Sequence, residues 1–152
     1  MRNNKNPMQD LRRPLGIYVH VPFCRSKCEY CDFYSLGGGM NRESMDLYLQ
    51  AVLAHIRESA QRVVGYEVDT VYFGGGTPSF FGHQGLIRIL TEIDRRFRLS
   101  KDAEITLEAN PDSVNAQSLE KLRRAGFNRI SIGVQTDDDA QLKALGRPHT
   151  YQ

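Results

Sequence analysis

Hydrophobic and polar residues alternate in three of the four short segments of this chain that are predicted to be strands. In the first of them, three aliphatic side chains fall on one side, and Tyr18 and His20 fall on the other. Alternation with a period of two residues is typical of a β-strand that is buried on one face. The four predicted strands are residues 15–21, 68–73, 104–109 and 130–134.

Apolar residues recur every three or four positions in the segments that follow the strands, which predicts amphipathic helices. The first predicted helix ends at Gly65, a residue type that often terminates helices. The third has Asn115 as its N-cap and Gly126 as its C-cap. The four predicted helices are residues 43–64, 86–97, 115–125 and 138–145.

Strand and helix alternate four times, an order typical of parallel βαβ units. Strands that are buried on both faces are usually apolar throughout, but three of these strands have one polar face. Its residues are Tyr18, His20, Glu104, Thr106, Glu108, Ser131 and Gln135. We expect an α/β fold, a partial, open parallel (β/α) barrel with about four βα units, curled around a polar ligand. The alternative is an ordinary sheet whose polar residues pair among themselves.

The composition is that of an ordinary globular protein, and it argues against two classes of function. The formal net charge is +2 and no run of Lys or Arg forms a basic stripe, so nucleic-acid binding is not expected. The apolar stretches are too short to span a bilayer, so no transmembrane segment is predicted. At 152 residues the chain is expected to hold one domain or part of one. Residues 1–14 are polar and are predicted to be a disordered lead to a folded domain at 15–152.

The three cysteines, Cys24, Cys28 and Cys31, follow the first predicted strand with the spacing C-x3-C-x2-C. A 4Fe–4S cluster is normally held by four thiolates, so three would leave one iron open to a small molecule. A zinc site with His20 as the fourth ligand is an alternative, and so is a disulfide with one free thiol. The odd number of cysteines and the lack of a recognisable signal peptide argue against the disulfide. The expected compartment is the reducing cytoplasm.

Other candidate binding residues follow the ends of the predicted strands. The three glycines of 74–78 (GGGTP) allow the backbone to approach a ligand closely, although a tight turn explains them equally well. Glu108 lies at the carboxyl end of the third strand, where parallel α/β barrels place their active sites. It could accept hydrogen bonds from ribose hydroxyls, or it could pair with Arg129. Gln135 has the equivalent position after the fourth strand, and Arg147, considered alone, is typical of a solvated surface charge.

Together these motifs resemble the radical S-adenosylmethionine (SAM) superfamily, and the chain from about residue 17 resembles its oxygen-independent coproporphyrinogen III oxidase-like branch. The cysteine motif after the first strand is that family's cluster motif, and the glycine loop resembles its loop for the methionine amino group. The segments that carry the resemblance are 17–24 (IYVHVPFC), 72–79 (YFGGGTPS), 108–112 (EANPD), 129–135 (RISIGVQ) and 142–147 (LKALGR). Five motifs in the same order make this resemblance specific.

The resemblance implies that Cys24, Cys28 and Cys31 ligate a 4Fe–4S cluster whose fourth iron is chelated by the amino and carboxylate groups of SAM. It also implies that Tyr18 lies near cluster and cofactor, and that Tyr30 lies near the adenine. In the family, an electron from the cluster splits SAM into methionine and a 5′-deoxyadenosyl radical that abstracts hydrogen, while the protein positions the cofactor and excludes water. The remaining residues implied to bind the cofactor are Gly75, Gly76, Thr77, Glu108, Gln135 and Arg147.

Phe33 distinguishes two sub-branches of this family. The coproporphyrinogen oxidases carry a further cysteine two residues after the triplet, at the position of Phe33. The local sequence here, 31–35 (CDFYS), resembles instead the haem chaperones, which bind haem and pass it to respiratory enzymes. The expected partners are therefore haem or porphyrin, a respiratory-chain acceptor and an electron donor. Oxidative decarboxylation of coproporphyrinogen, a step of porphyrin biosynthesis, is the alternative oxidoreductase activity, and Phe33 in place of the cysteine argues against it.

Members of this family are longer than 152 residues, with about six βα units and a C-terminal domain. Four predicted units would therefore form an incomplete, N-terminal part of the radical SAM core domain. A truncated product that binds a cluster without being active is the third hypothesis.

Overall fold

The computed structural model describes residues 13–38 and 41–151. Most of the lead predicted to be disordered, residues 1–12, lies outside these ranges, and Arg13 and Pro14 belong to the first strand. Within the described ranges, none of the helices combines the length and the hydrophobicity needed to cross a membrane.

All four predicted strands and all four predicted helices are present, and two very short strands are added. Two 3-10 turns, Pro78–Phe81 and Pro111–Ser113, follow the second and third long strands. In chain order the elements are β1 (Arg13–Val21), β2 (Phe23–Cys24), β3 (Leu36–Gly37), α1 (Arg42–Ala60), β4 (Tyr66–Gly75), α2 (His83–Arg96), β5 (Leu99–Ala109), α3 (Ala116–Ala125), β6 (Arg129–Ile132) and α4 (Asp139–Ala144).

The long strands form one parallel sheet in the order β1-β4-β5-β6. Each strand pairs with the next long strand along the chain, so the sheet grows in a single direction. Because crossovers between parallel strands are right-handed, the connecting helices cover the same face, and α2 packs against both α1 and α3. This arrangement belongs to a (β/α) barrel and differs from a doubly wound sheet, which confirms the predicted partial barrel.

The hydrophobic core lies between this sheet face and the helices. Glu92, on α2, is buried beside the core and accepts hydrogen bonds from Arg57 Nε at 2.7 Å and Arg96 Nε at 2.9 Å. These bonds lower the pKa of the Glu92 carboxyl, and the bond from Arg57 joins α1 to α2. The buried apolar residues include Val19, Val21, Val71, Phe73, Ile105 and Leu107 from the strands and Leu49, Leu53, Ile56, Leu86, Ile89, Ile93 and Leu122 from the helices.

The opposite sheet face is polar, as predicted. Tyr18, Tyr72, Thr106 and Arg129 occupy one row across the four strands. The rings of Tyr18 and Tyr72 stack, with centroids 6.1 Å apart. Thr106 donates to Glu104 Oε1 at 3.0 Å and accepts from Arg129 Nη1 at 3.3 Å. In this row the polar residues do pair among themselves, whereas the residues nearer the carboxyl ends of the strands surround a cavity.

Several boundaries differ from those predicted, among them the start of β5 at Leu99 instead of residue 104, and one strand pair was not predicted. Helix α1 ends at Ala60, before Val64, whose side chain is 86% exposed and therefore contributes nothing to a buried stripe. Strand β6 ends at Ile132, so Gln135 lies in the following loop and not on a strand. The β2–β3 pairing, Phe23 with Leu36 and Cys24 with Gly37, was not predicted because two-residue strands have no periodicity to detect.

Candidate functional site

The segment between β2 and β3, residues 25–35, is named here the cysteine loop, and two hydrogen bonds tie its C-terminal end to β1 and to Pro22, which follows β1. Leu36 N donates to Pro22 O at 2.6 Å, closing the loop. His20 Nε2 lies 2.9 Å from the carbonyl oxygen of Tyr34, which can only accept, so Nε2 carries the hydrogen. His20 Nδ1 lies 3.1 Å from the Tyr18 hydroxyl. Both ring nitrogens are therefore occupied, Nε2 by the loop and Nδ1 by Tyr18 on β1, which removes the support for His20 as a zinc ligand.

A cavity of about 270 Å³ lies between the cysteine loop and the carboxyl ends of the strands, and it is named here the cysteine cavity. Most of the site residues predicted from the sequence line it. Tyr18 and Gly75 do not: Tyr18 stacks on Tyr72, and Gly75 donates its amide hydrogen to Glu108 Oε2 at 3.2 Å. Those in the wall are Cys24, Cys28, Tyr30, Cys31, Gly76, Thr77, Glu108, Gln135 and Arg147.

The glycine loop after β4 packs directly against Cys24. Gly76 N donates to Val21 O at 2.8 Å and Thr77 N to Phe23 O at 2.7 Å. A Cβ at position 76 would lie 2.8 Å from the Phe23 carbonyl oxygen, closer than real Cβ contacts, and 3.0 Å from Cys24 Sγ, a very tight contact. Glycine is therefore required for the backbone to approach the sulfur this closely, and the loop then places the Thr77 hydroxyl 3.5 Å from Cys24 Sγ as a donor.

All three cysteines are free thiols and partly exposed. Within residues 13–38 and 41–151, no three Cys, His, Asp or Glu side chains converge closely enough to hold a single metal ion. A zinc site needs such convergence, whereas the thiolates of a cubane cluster bind different iron atoms and surround a volume. Three soft sulfur ligands lining one cavity therefore fit a cluster better than zinc.

Two buried polar atoms in the cavity wall also fit a bound group. Arg147 Nε and Ser35 Oγ are buried and have no hydrogen-bond partner within the described part of the chain. Unpaired buried polar atoms are costly, so such atoms usually bond to a molecule that is bound beside them. A polar cofactor in the cysteine cavity would supply these partners.

Glu108 is held from two sides at the edge of the cavity. The Tyr72 hydroxyl donates to Glu108 Oε1 at 2.6 Å, and this bond raises the pKa of Tyr72 to about 12. Burial raises the pKa of the Tyr18 hydroxyl, and the Glu108 charge adds to this effect. Arg129 pairs with Glu104, with Nη1 and Oε1 at 3.4 Å, so the alternative of a Glu108–Arg129 salt bridge is wrong. The carboxylate keeps capacity to accept from a ligand.

Arg147 is half-buried in the cavity wall rather than solvated. Its Nη2 donates to Asn110 Oδ1 at 2.7 Å and to Gly133 O at 2.6 Å, while Nη1 lies 3.6 Å from Cys28 Sγ and 3.5 Å from the Tyr30 hydroxyl. Burial raises the pKa of Tyr30, against the opposing charge of Arg147. The sequence pattern alone indicated a surface charge here, because nothing local shows that the chain returns to the cysteines.

Two features of the cavity wall were missed or misplaced by sequence reasoning. Asn110 lines the cavity directly after β5, and its position in the segment 108–112 was the one available signal. Gln135 has φ of +73°, the single positive φ of a non-glycine residue among those described. Such backbone is uncommon for this residue type and is found most often at functional sites.

Comparisons with known proteins agree with this arrangement. The family model of the radical SAM superfamily matches residues 18–152. The chain is 42% identical over 141 residues to heme chaperone HemW of Escherichia coli (strain K12), covering 91% of this chain and 36% of that protein. It is 39% identical over 140 residues to heme chaperone HemW of Lactococcus lactis, covering 92% and 35%.

A solved structure of a radical SAM enzyme has a similar fold. Coproporphyrinogen III oxidase (HemN) from Escherichia coli, a radical SAM enzyme, superposes with a TM-score of 0.85 at 32% sequence identity. The match covers 91% of this chain and 32% of that one. The chain thus spans about a third of the length of the relatives it matches.

Proposed function

The chain belongs to the radical SAM superfamily, and on this premise we propose that Cys24, Cys28 and Cys31 hold a 4Fe–4S cluster whose remaining iron binds SAM. The observation that carries the proposal is that three free thiols share one cavity with a glycine loop, a carboxylate and a guanidinium. When bound, cluster and SAM together supply electron transfer and radical chemistry. The protein's own part is to hold and orient them.

In this proposal, different residues of the cavity wall bind different parts of SAM. Gly75, Gly76 and Thr77 receive the methionine end of SAM, because the two glycines carry no side chain and let a ligand approach the backbone of this loop closely. Glu108 accepts hydrogen bonds from the cofactor's ammonium or hydroxyl groups. Arg147, already beside Cys28, offers its unpaired Nε to an acceptor.

The remaining candidates have supporting positions in the proposed site. Tyr30 offers an aromatic ring to the adenine, and Gln135 offers an amide from a loop of fixed backbone shape. Tyr18 does not line the cavity, but it stacks on Tyr72 and so supports the Tyr72–Glu108 hydrogen bond. Its contribution is therefore to the orientation of Glu108.

Anaerobic reconstitution with iron and sulfide tests the proposal, followed by EPR of the reduced protein with and without SAM. We expect about four irons per chain and a spectrum that changes when SAM is added. Replacing any one of the three cysteines with serine should strongly reduce the iron content. Ser26→Ala, in the same loop, is the matched control and should retain the iron. Zinc in place of iron, or a spectrum unaffected by SAM, would contradict the proposal.

We further propose that the chain carries the cluster-binding region of a haem chaperone-type protein that works in the cytoplasm, accepts electrons from a donor protein and passes haem to a respiratory enzyme. The identity of about 40% to heme chaperones supports this. Phe33, two residues after Cys31, lines the cysteine cavity and is 66% exposed, so it presents an apolar ring beside the site. Haem titration of the reconstituted protein should show saturable binding, and coproporphyrinogen should not be turned over.

The second candidate function is oxygen-independent oxidation of coproporphyrinogen III. It is supported by the close superposition on the oxidase structure. Phe33 in place of the additional cysteine argues against it. Turnover of coproporphyrinogen without stable haem binding would favour this candidate over the first.

A further inference from the structure

Asn110 connects two side chains that each approach a different cysteine sulfur. Its Nδ2 donates to Thr77 Oγ1 at 3.2 Å, and its Oδ1 accepts from Arg147 Nη2 at 2.7 Å. Thr77 in turn lies 3.5 Å from Cys24 Sγ, and Arg147 lies 3.6 Å from Cys28 Sγ. One amide therefore bridges the donors to two of the three thiols.

The amide also fixes the direction of the Thr77 hydroxyl. A hydroxyl has one hydrogen to donate and two lone pairs. Because Asn110 Nδ2 can only donate, it occupies a lone pair of Thr77 Oγ1 and leaves the hydroxyl hydrogen available to Cys24 Sγ. Hydrogen bonds arranged in such a chain strengthen one another. An acceptor in place of Nδ2 would instead attract this hydrogen away from the sulfur.

Asn110 is itself held rigidly, so its side chain is well placed for this task. The Ser113 hydroxyl accepts from Asn110 N at 3.0 Å and donates to Asn110 O at 2.7 Å. A further backbone bond, Ser113 N to Asn110 O at 3.0 Å, closes the 3-10 turn after β5. Ser79, after the glycine loop, bonds to the same Ser113 hydroxyl. The turn therefore locks Asn110 to the segment that carries Thr77.

We propose that Asn110 is a positioning residue that sets the reduction potential of the cluster by directing the hydrogen bonds of Thr77 and Arg147 to the sulfurs of Cys24 and Cys28. Hydrogen bonds to cluster sulfurs stabilise the more negative, reduced state and so raise the potential. Losing these bonds makes reduction harder. The inference rests on the proposed function, because it requires the three cysteines to hold a cluster.

A double-mutant cycle on the reconstituted protein tests the proposal, with the midpoint potential as the readout. Asn110→Asp preserves size and retains an acceptor for Arg147, but a carboxylate cannot donate to Thr77 and attracts its hydroxyl hydrogen. We expect a lower potential in this variant and in Thr77→Val. The added negative charge also lowers the potential, so Asn110→Asp is repeated in the Thr77→Val background, where no hydroxyl remains to be redirected. The change in midpoint potential caused by Asn110→Asp should be clearly smaller in the Thr77→Val background than in the wild-type background.

The outcomes separate this inference from the proposed function. If the wild-type protein assembles no cluster, the proposed function itself is contradicted and the inference falls with it. If the wild type assembles a cluster and Asn110→Asp shifts the potential equally in both backgrounds, only the inference is overturned. It is likewise overturned if Asn110→Asp loses the cluster while Thr77→Val keeps it, since Asn110 then acts on assembly and not through the hydroxyl.

Discussion

The hydroxyl of Tyr72 on β4 donates a 2.6 Å hydrogen bond to Oε1 of Glu108 on β5. Tyr72 pairs in register with Thr106, so Glu108 is two residues further toward the carboxyl end of the neighbouring strand and on the same face. The Gly75 amide holds the other carboxylate oxygen at 3.2 Å. The two strands thus orient a negative group at the rim of the cysteine cavity before any ligand arrives, which reduces the entropy lost on binding.

Tyr72→Phe should weaken the binding of SAM to the reconstituted protein by about three- to tenfold, because it removes a hydrogen bond worth about 1 kcal/mol that orients Glu108. Iron content should be unchanged. Titration of the EPR change with SAM measures the affinity. Tyr66→Phe, at the other end of the same strand, is the matched control and should bind as the wild type does. Equal affinity in both variants would show that the orientation of Glu108 is unimportant.

The Tyr72 hydroxyl should ionise late, with a pKa of about 12 compared with about 10 for a free tyrosine. Because the folded-state pKa lies above the unfolded one, this group stabilises the fold fully below pH 10, and its contribution is lost as the pH rises toward 12. Ultraviolet titration of the metal-free protein at tyrosinate wavelengths measures the ionisation. Glu108→Gln removes the negative charge and should lower the pKa of Tyr72, whereas an unchanged titration curve would contradict this explanation.

Secondary structure was predictable where a pattern was long enough to repeat. α3 was predicted correctly with both caps, because Asn115 and Gly126 signal its ends directly. The end of α1 was missed because apolar residues continue to Val63 although the helix stops at Ala60. The periodic spacing of apolar residues in the sequence does not show where the helix stops packing against the hydrophobic core.

The members of the cavity wall were predictable mainly where a motif marked them. The cysteines can be recognised in the sequence by their spacing, and the glycine loop by its composition. Arg147 came from the resemblance alone, since its approach to Cys28 depends on how the chain folds back after α4. The hydrogen bonds of Asn110 to Thr77 and Arg147 could not be predicted from the sequence, because they depend on how three separate segments of the chain pack together. The roles of all these residues in binding stay predictions.

Gly76→Ala should reduce both the stability of the chain and its iron content. The new Cβ would meet backbone, the Phe23 carbonyl oxygen at 2.8 Å, as well as Cys24 Sγ at 3.0 Å, so the cysteine must move. Overpacking of this kind costs about 1–3 kcal/mol. Gly16→Ala is the control, since its Cβ would meet the Thr70 hydroxyl at 2.9 Å and no cysteine.

Chemical denaturation measures the stability of both glycine variants, and iron analysis after reconstitution measures the cluster. Loss of stability in both variants, with loss of iron confined to Gly76→Ala, is the expected result. A Gly76→Ala protein that retains the full iron content would show that Cys24 does not depend on this close contact.

Leu142→Ala should release the segment that carries Arg147 before the rest of the chain unfolds. α4 has only six residues, too few to persist without packing, and Leu142 is its one buried side chain, 1% exposed. Arg147 N also donates to Leu142 O at 2.9 Å, so both residues depend on the same helix. Truncating a buried leucine costs about 2–5 kcal/mol, enough to open a helix of only six residues locally.

Hydrogen exchange followed by mass spectrometry checks this prediction. Amides of residues 138–147 should exchange much faster in Leu142→Ala, while those of α2 keep the wild-type protection. Lys143→Ala, at the exposed neighbouring position, should change exchange by the equivalent of less than about 0.5 kcal/mol. Faster exchange throughout the chain would mean that Leu142 supports the whole fold. Unchanged exchange in 138–147 would mean that other contacts hold Arg147, and either result would contradict a separately anchored helix.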